Sequence, residues 1–110
     1  MALESSVSAT VESDRVAFEY TVENVGDDSE TLQFRSGLTA DFAVLDDGEE
    51  IWRASDGQMF TQALHSETLA PGDSETFADA WDDPSAGAHT VVAELNTTGD
   101  SAQARADFSV

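Results

Sequence analysis

The side chains with chemistry to offer fall in four places. Asp46-Asp-Gly-Glu-Glu50 gathers carboxylates around a glycine, and His65-Ser66-Glu67 sets a His and a carboxylate two residues apart. That spacing puts both on one side of an extended strand. His89 stands alone, and Asn96-Thr-Thr98 matches the N-glycosylation acceptor pattern. None meets the demands of the chemistry it suggests. A calcium loop of the EF-hand kind spreads its ligands over about twelve residues between helices. The acidic run is shorter and lies inside a hairpin pattern, so it reads as a solvated turn. The His65 and Glu67 pair lacks a third ligand in sequence. His89 opens a strand pattern and is expected to be exposed. No Ser lies in a Gly-x-Ser-x-Gly elbow, and a triad would have to be built from two isolated His residues. Without Cys there is neither a thiolate metal site nor a disulfide framework. The sequon matters only for an exported chain. We therefore expect no enzyme, no cofactor and no metal.

A different kind of candidate is the stretch Ala54–Gln62, ASDGQMFTQ, which keeps neither a helical nor a strand period across its length. Gln58–Leu64 has room for a helical turn. Met59 and Phe60 stand there between polar residues, where a soluble monomer gains little from them unless they fold back or meet a partner. Phe60 is expected to pack under the loop. Trp52 and Trp81 are expected in the core, with the indole N–H bonded at a sheet edge.

The elements around these residues read as strands. Val7–Val11 alternates apolar and polar, and after the polar turn Glu12-Ser-Asp14 the alternation is cleanest at Val16, Phe18, Tyr20 and Val22. One polar face places such a strand in an antiparallel sheet. Asn24–Ser29 is a loop by turn chemistry. Leu32 and Phe34 form the next inward pair, and Ser36-Gly37 interrupts the period as a bulge or a crossing between sheets would. Phe42 and Val44 resume it up to Asp47-Gly48, a hairpin signal in which two adjacent residues take positive φ. Ile51 and Trp52 carry the return strand, and Leu64–Leu69 reads as a short one. Ala70-Pro71-Gly72-Asp73 has the residues of a type II turn. Phe77, Asp79 and Trp81 share a face, so either Asp79 faces inward near an edge or the register slips. Asp82–Gly87 is an exposed loop. Val91, Ala93 and Leu95 line a further strand, followed by a turn at Asn96–Asp100. The last strand puts Ala102, Ala104, Ala106, Phe108 and Val110 inward. Eight or nine short strands without a long helix predict an all-β sandwich of about 7–9 antiparallel strands, with residues 1–110 as one domain.

Charge narrows the class further. Twenty-three Asp and Glu face four Arg and no Lys, for a net charge of −19. Self-repulsion of this size opposes compaction in dilute salt. Molar salt shortens the Debye length to about 3 Å and removes most of that penalty. At 40% hydrophobic, with aromatics in period-2 patterns, the chain can still form a core. We read it as salt-adapted. The same field repels nucleic acid and anionic membranes, so neither is an expected partner. The start MALESSVSAT lacks the basic and apolar regions of a secretory signal, and no run approaches the roughly 18 apolar residues of a membrane span. A cytoplasmic location is expected.

Val22-Glu-Asn-Val-Gly26, Leu32-Gln-Phe-Arg-Ser-Gly37, Asp41-Phe-Ala-Val44, Asp47-Gly48, Ile51-Trp-Arg53, Ser55, Phe60, Leu69-Ala-Pro-Gly72, Phe77 and Trp81 form an ordered set. Together they resemble the intracellular proteinase inhibitor family of the BsuPI type, here with a haloarchaeal-like composition. The pieces follow one another in family order and spacing over about the middle half of the chain. Ala54 and Ala40 depart from the family, which carries aromatics there. The resemblance implies an immunoglobulin-like sandwich and inhibition of an intracellular subtilisin-like serine protease.

Two functions follow. The first is an inhibitor that offers Ser55–Leu64 to a protease, with Met59, Phe60 or Leu64 filling an apolar specificity pocket and Ser55 at its start. The second is a non-inhibitory immunoglobulin-like scaffold that binds another protein through a sheet face or edge. Either would act as a monomer.

Overall fold

The computed structural model describes residues 3–34, 37–56, 64–97 and 102–110. Among them are nine strands and no helix: β1 Leu3–Val11, β2 Arg15–Asn24, β3 Glu30–Phe34, β4 Ala40–Asp46, β5 Glu49–Arg53, β6 His65–Leu69, β7 Ser74–Asp82, β8 Ala88–Leu95 and β9 Gln103–Ser109. All pair antiparallel, in the orders β1-β2-β7, β3-β6 and β5-β4-β8-β9. The architecture is an antiparallel β-sandwich, as the period-2 pattern predicts.

The core forms because alternate residues of β2, β4 and β8 point between the sheets. Val16, Phe18, Tyr20 and Val22 of β2 are buried, as are Phe42 and Val44 of β4 and Val91, Ala93 and Leu95 of β8. Phe18 joins the layers: its ring lies 6.0 Å from Phe42, 6.0 Å from Trp52 and 5.7 Å from Phe108. Such offset and edge contacts add to the burial of the rings themselves. Trp81 is buried and Trp52 half-buried, with ring centres 6.4 Å apart.

The turns follow their chemistry. Asp47 and Gly48 take φ of 52° and 83°, the positive pair that a two-residue hairpin of the primed kind requires. Gly72 takes 87°, and the N–H of Asp73 donates to the Ala70 carbonyl at 2.9 Å, closing the turn that Pro71 begins.

Two expectations change, and a third lies outside the described residues. Leu45 pairs with Glu50 and Val44 with Trp52, so the register shift between them makes Ile51 an extra, outward residue on β5, 42% exposed. No glycine or proline signals it. The Ser36-Gly37 bulge involves a residue outside the described set. Val110 is exposed rather than inward, because β9 ends at Ser109.

The Asp79 question has an answer. β7 keeps an unbroken register with β2, Phe18 standing opposite Asp79 and Tyr20 opposite Phe77. Asp79 thus shares the inward face with Phe77 and Trp81, but β7 is an edge strand and the carboxylate is exposed. Its Oδ1 accepts the N–H of Ala80 at 2.8 Å.

On the opposite side of the sandwich the edges of two sheets come together. β1 lies alongside β9, and the Ser5 hydroxyl donates to the Gln103 carbonyl at 3.2 Å. The end of β1 at Leu3 pairs with Asn24, while its end at Val11 lies near Val16, which faces Trp81. His89 packs on Trp81 and pairs with Phe108 near the end of β9. β1 and β9 therefore run the same way along this side.

Candidate functional site

The most heavily bonded side chain on the outer face of the four-stranded sheet is Asp41, the second residue of β4. Its strand is central, flanked by β5 and β8, and its residues from Ala40 to Val44 are all buried. Asp41 itself is 7% exposed. A carboxylate at that depth must be paired or hydrogen-bonded. Oδ1 accepts the N–H of Phe42 at 2.9 Å and the N–H of Ser55 at 3.1 Å. Oδ2 accepts Nη1 of Arg53 at 2.9 Å and the hydroxyl of Ser55 at 2.7 Å. Arg53 in turn holds Glu50 Oε1 through Nη2 at 2.5 Å and Nε at 3.1 Å. The hydrogen bonds that Arg53 donates to Glu50 and then to Asp41 raise its pKa above the ordinary value, against the effect of burial. The cation therefore persists across the working pH range.

The backbone around this cluster is also fixed. Ala54, buried, donates its N–H to the Phe42 carbonyl at 2.8 Å, and the N–H of Asp56 turns back to the Arg53 carbonyl at 3.2 Å. The chain thus leaves β5 from a clasped position at Ser55.

Ser55 and Leu64, the described ends of the candidate stretch, stand differently. Ser55 is half-buried and held on Asp41. Leu64 is 74% exposed, beside His65, whose ring stacks on Phe34 with centres 4.8 Å apart. Leu64, His65, Gln33 and Ser66 line a surface depression of about 210 Å³. Met59 and Phe60 lie outside the described residues, as does most of the helical turn considered for Gln58–Leu64. Asp41 is the functional candidate that spacing alone misses. Asp41, Arg53 and Ser55 each belong to a piece of the family resemblance, and the fold brings those pieces into one cluster.

The same holds for a second group of those pieces. Asn24 is fully buried; its Nδ2 donates to the carbonyls of Asp28 at 2.7 Å and Leu69 at 2.9 Å, and its Oδ1 accepts the Gly26 N–H at 3.0 Å. Its backbone also pairs with Gly72 and Asp73.

The other chemically suggestive residues have structural employment. His89, expected exposed, is 5% exposed: it opens β8 on the inward face and packs between Trp81 and Phe108, at 5.1 and 5.5 Å. Its Nε2 meets the Ser85 carbonyl at 2.8 Å, tying down the 83–87 loop. Asn96 of the sequon donates Nδ2 to the Leu38 carbonyl at 2.9 Å, and Thr97 is buried. Asp46 and Asp47 are exposed at the hairpin turn. Among the described residues, no group of three His, Cys, Asp or Glu side chains converges as a metal site.

The fold and the cluster define an antiparallel β-sandwich in which the chain at the end of β5 is clasped at Ser55. The family model for the BsuPI intracellular proteinase inhibitors matches residues 3–100, and the chain belongs to that family. No curated protein matches it. Among solved structures, it is similar to part of the β-glucosidase from Kluyveromyces marxianus in complex with glucose, at 20% identity and a TM-score of 0.47, covering 98% of this chain and 14% of that one. A selenomethionine-labelled form of that enzyme gives 18% identity and a TM-score of 0.44 over the same shares. The chain thus spans about a seventh of the enzyme's length.

Proposed function

We propose that this chain inhibits a subtilisin-like serine protease by direct loop binding, as a single monomeric domain without catalytic activity of its own, in a salt-adapted cytoplasm. Family membership supports proteinase inhibition in general. The observation that carries the loop reading is the clasp at Ser55, four donors on one buried carboxylate, at the start of a stretch whose other end presents Leu64 to solvent. A loop leaving a rigid scaffold loses little entropy on docking, so more of its contact energy appears as affinity. Met59, Phe60 or Leu64 would supply the apolar side chain for the specificity pocket.

The test is a titration of a subtilisin-type protease active in molar salt. Inhibition at near-stoichiometric protein is expected, and full protease activity at saturating protein would overturn the reading. Met59→Asp separates the loop from the function: undiminished inhibition would remove the loop assignment alone. A pull-down from extract held at high salt that returned a stable non-protease partner, with no protease, would favour the scaffold alternative.

A further inference from the structure

We propose that Asp41 is a positioning residue, which acts through Ser55 to set where the partner-binding stretch leaves β5. The inference rests on the inhibitor reading above and adds a residue to it.

Two of the four bonds on Asp41 come from Ser55, one from its backbone and one from its hydroxyl, and they go to different carboxylate oxygens. Ser55 therefore cannot rotate about either bond without breaking the other. A third bond comes from Arg53, which is itself held by Glu50, so the carboxylate cannot swing to follow a moving Ser55. The fourth, from the N–H of Phe42, ties the carboxylate to its own strand. These contacts are additional to strand pairing. Ala54 already completes the backbone link to Phe42, and Asp56 already closes the turn onto Arg53. What the Ser55 bonds add is orientation at the first residue of the candidate stretch. Placement errors of an ångström are costly where a bound group must meet a reacting centre. A reactive-site loop that shifts by that much is expected to be cut as a substrate.

Ser55→Ala removes the hydroxyl bond and leaves the backbone one, so the fold is retained. Asp41→Asn keeps the shape and loses the charge that Arg53 and Ser55 share. Both variants, in the full chain, are titrated against the same subtilisin-type protease in molar salt, and intact chain is followed by mass spectrometry. Backbone amide exchange at Ser55 is read in parallel without protease. We expect about a tenfold rise in the inhibition constant for Ser55→Ala, the scale of one net hydrogen bond. We expect a larger rise for Asp41→Asn, faster cleavage within 55–64, and faster exchange of the Ser55 amide. Thr90→Ala, which removes a bond to Asp107 elsewhere on the same sheet, serves as the control and should change none of these. Unchanged inhibition by both variants, with the Ser55 amide loosened, would overturn the positioning role while leaving the inhibitor reading intact. A wild-type chain that fails to inhibit would end both, and an unprotected Ser55 amide in the wild type would overturn the clasp itself.

Discussion

Asn24 ties the loop after β2 to the Pro71-Gly72 turn, two segments far apart in the chain. Its amide serves three backbone groups, of which the Leu69 carbonyl is buried and would be left without this partner, and such an orphan costs more than a bond is worth on average. Asn24→Ala is expected to lower stability by about 2–3 kcal/mol, read as a fall in urea midpoint with an unchanged slope. Tyr20 makes a different prediction. Burial pushes its phenol above the ordinary value near 10; the Ser5 hydroxyl offsets this in part and the charge of Glu94 adds to it. The hydroxyl closes no hydrogen bond of ordinary geometry among the described residues. Below about pH 10 the phenol is protonated in folded and unfolded chains alike, and its contribution is fully present. Above that, the unfolded chain releases the proton more readily, so stability falls as pH rises. A series of melts from pH 8 to 11 should show this decline, and Tyr20→Phe should flatten it.

At the scale of elements, β7 is an edge strand of its sheet, and Asp79 is how that edge is guarded. The carboxylate sits on the inward-facing side of the edge strand and occupies the N–H of Ala80. Inward charges on edges discourage strand addition. Asp79→Val is expected to increase self-association, read by light scattering, with little loss of stability in the monomer. Much of this layer was legible in the residues: alternation located the strands of the sandwich, and Asp47-Gly48 and Pro71-Gly72 located two turns with their backbone conformations. Asp79 left two options because alternation describes a face and not the strand's place in a sheet. The bulge at Ile51 gave no sign because it uses an ordinary β-branched residue. His89 was misread because its burial depends on Trp81 and Phe108, partners that pairing brings together across the sandwich. Asp41 was hidden for the same reason: the groups it receives lie beyond a hairpin, and no local pattern joins a strand aspartate to a serine past the return strand.

For the molecule as a whole, the charge of −19 dominates. Three ion pairs join the described residues, all of them using Arg15 or Arg53, and these leave most carboxylates uncompensated. The folded state is therefore expected to need counterion screening. Native circular dichroism should be lost as salt falls from molar to millimolar; an unchanged spectrum and melting point would sink the salt-adaptation argument. The side-by-side course of β1 and β9 carries a mechanical consequence. Because the two strands run the same way, Leu3 and Ser109 lie at opposite poles of the sandwich. A pulling force applied at those two points would load the β1 contacts in shear, all together, instead of peeling them one at a time from an end. The Ser5–Gln103 clasp sits in the path of that load, so the molecule should behave as a stiff strut along its length while parting easily under force applied across β7.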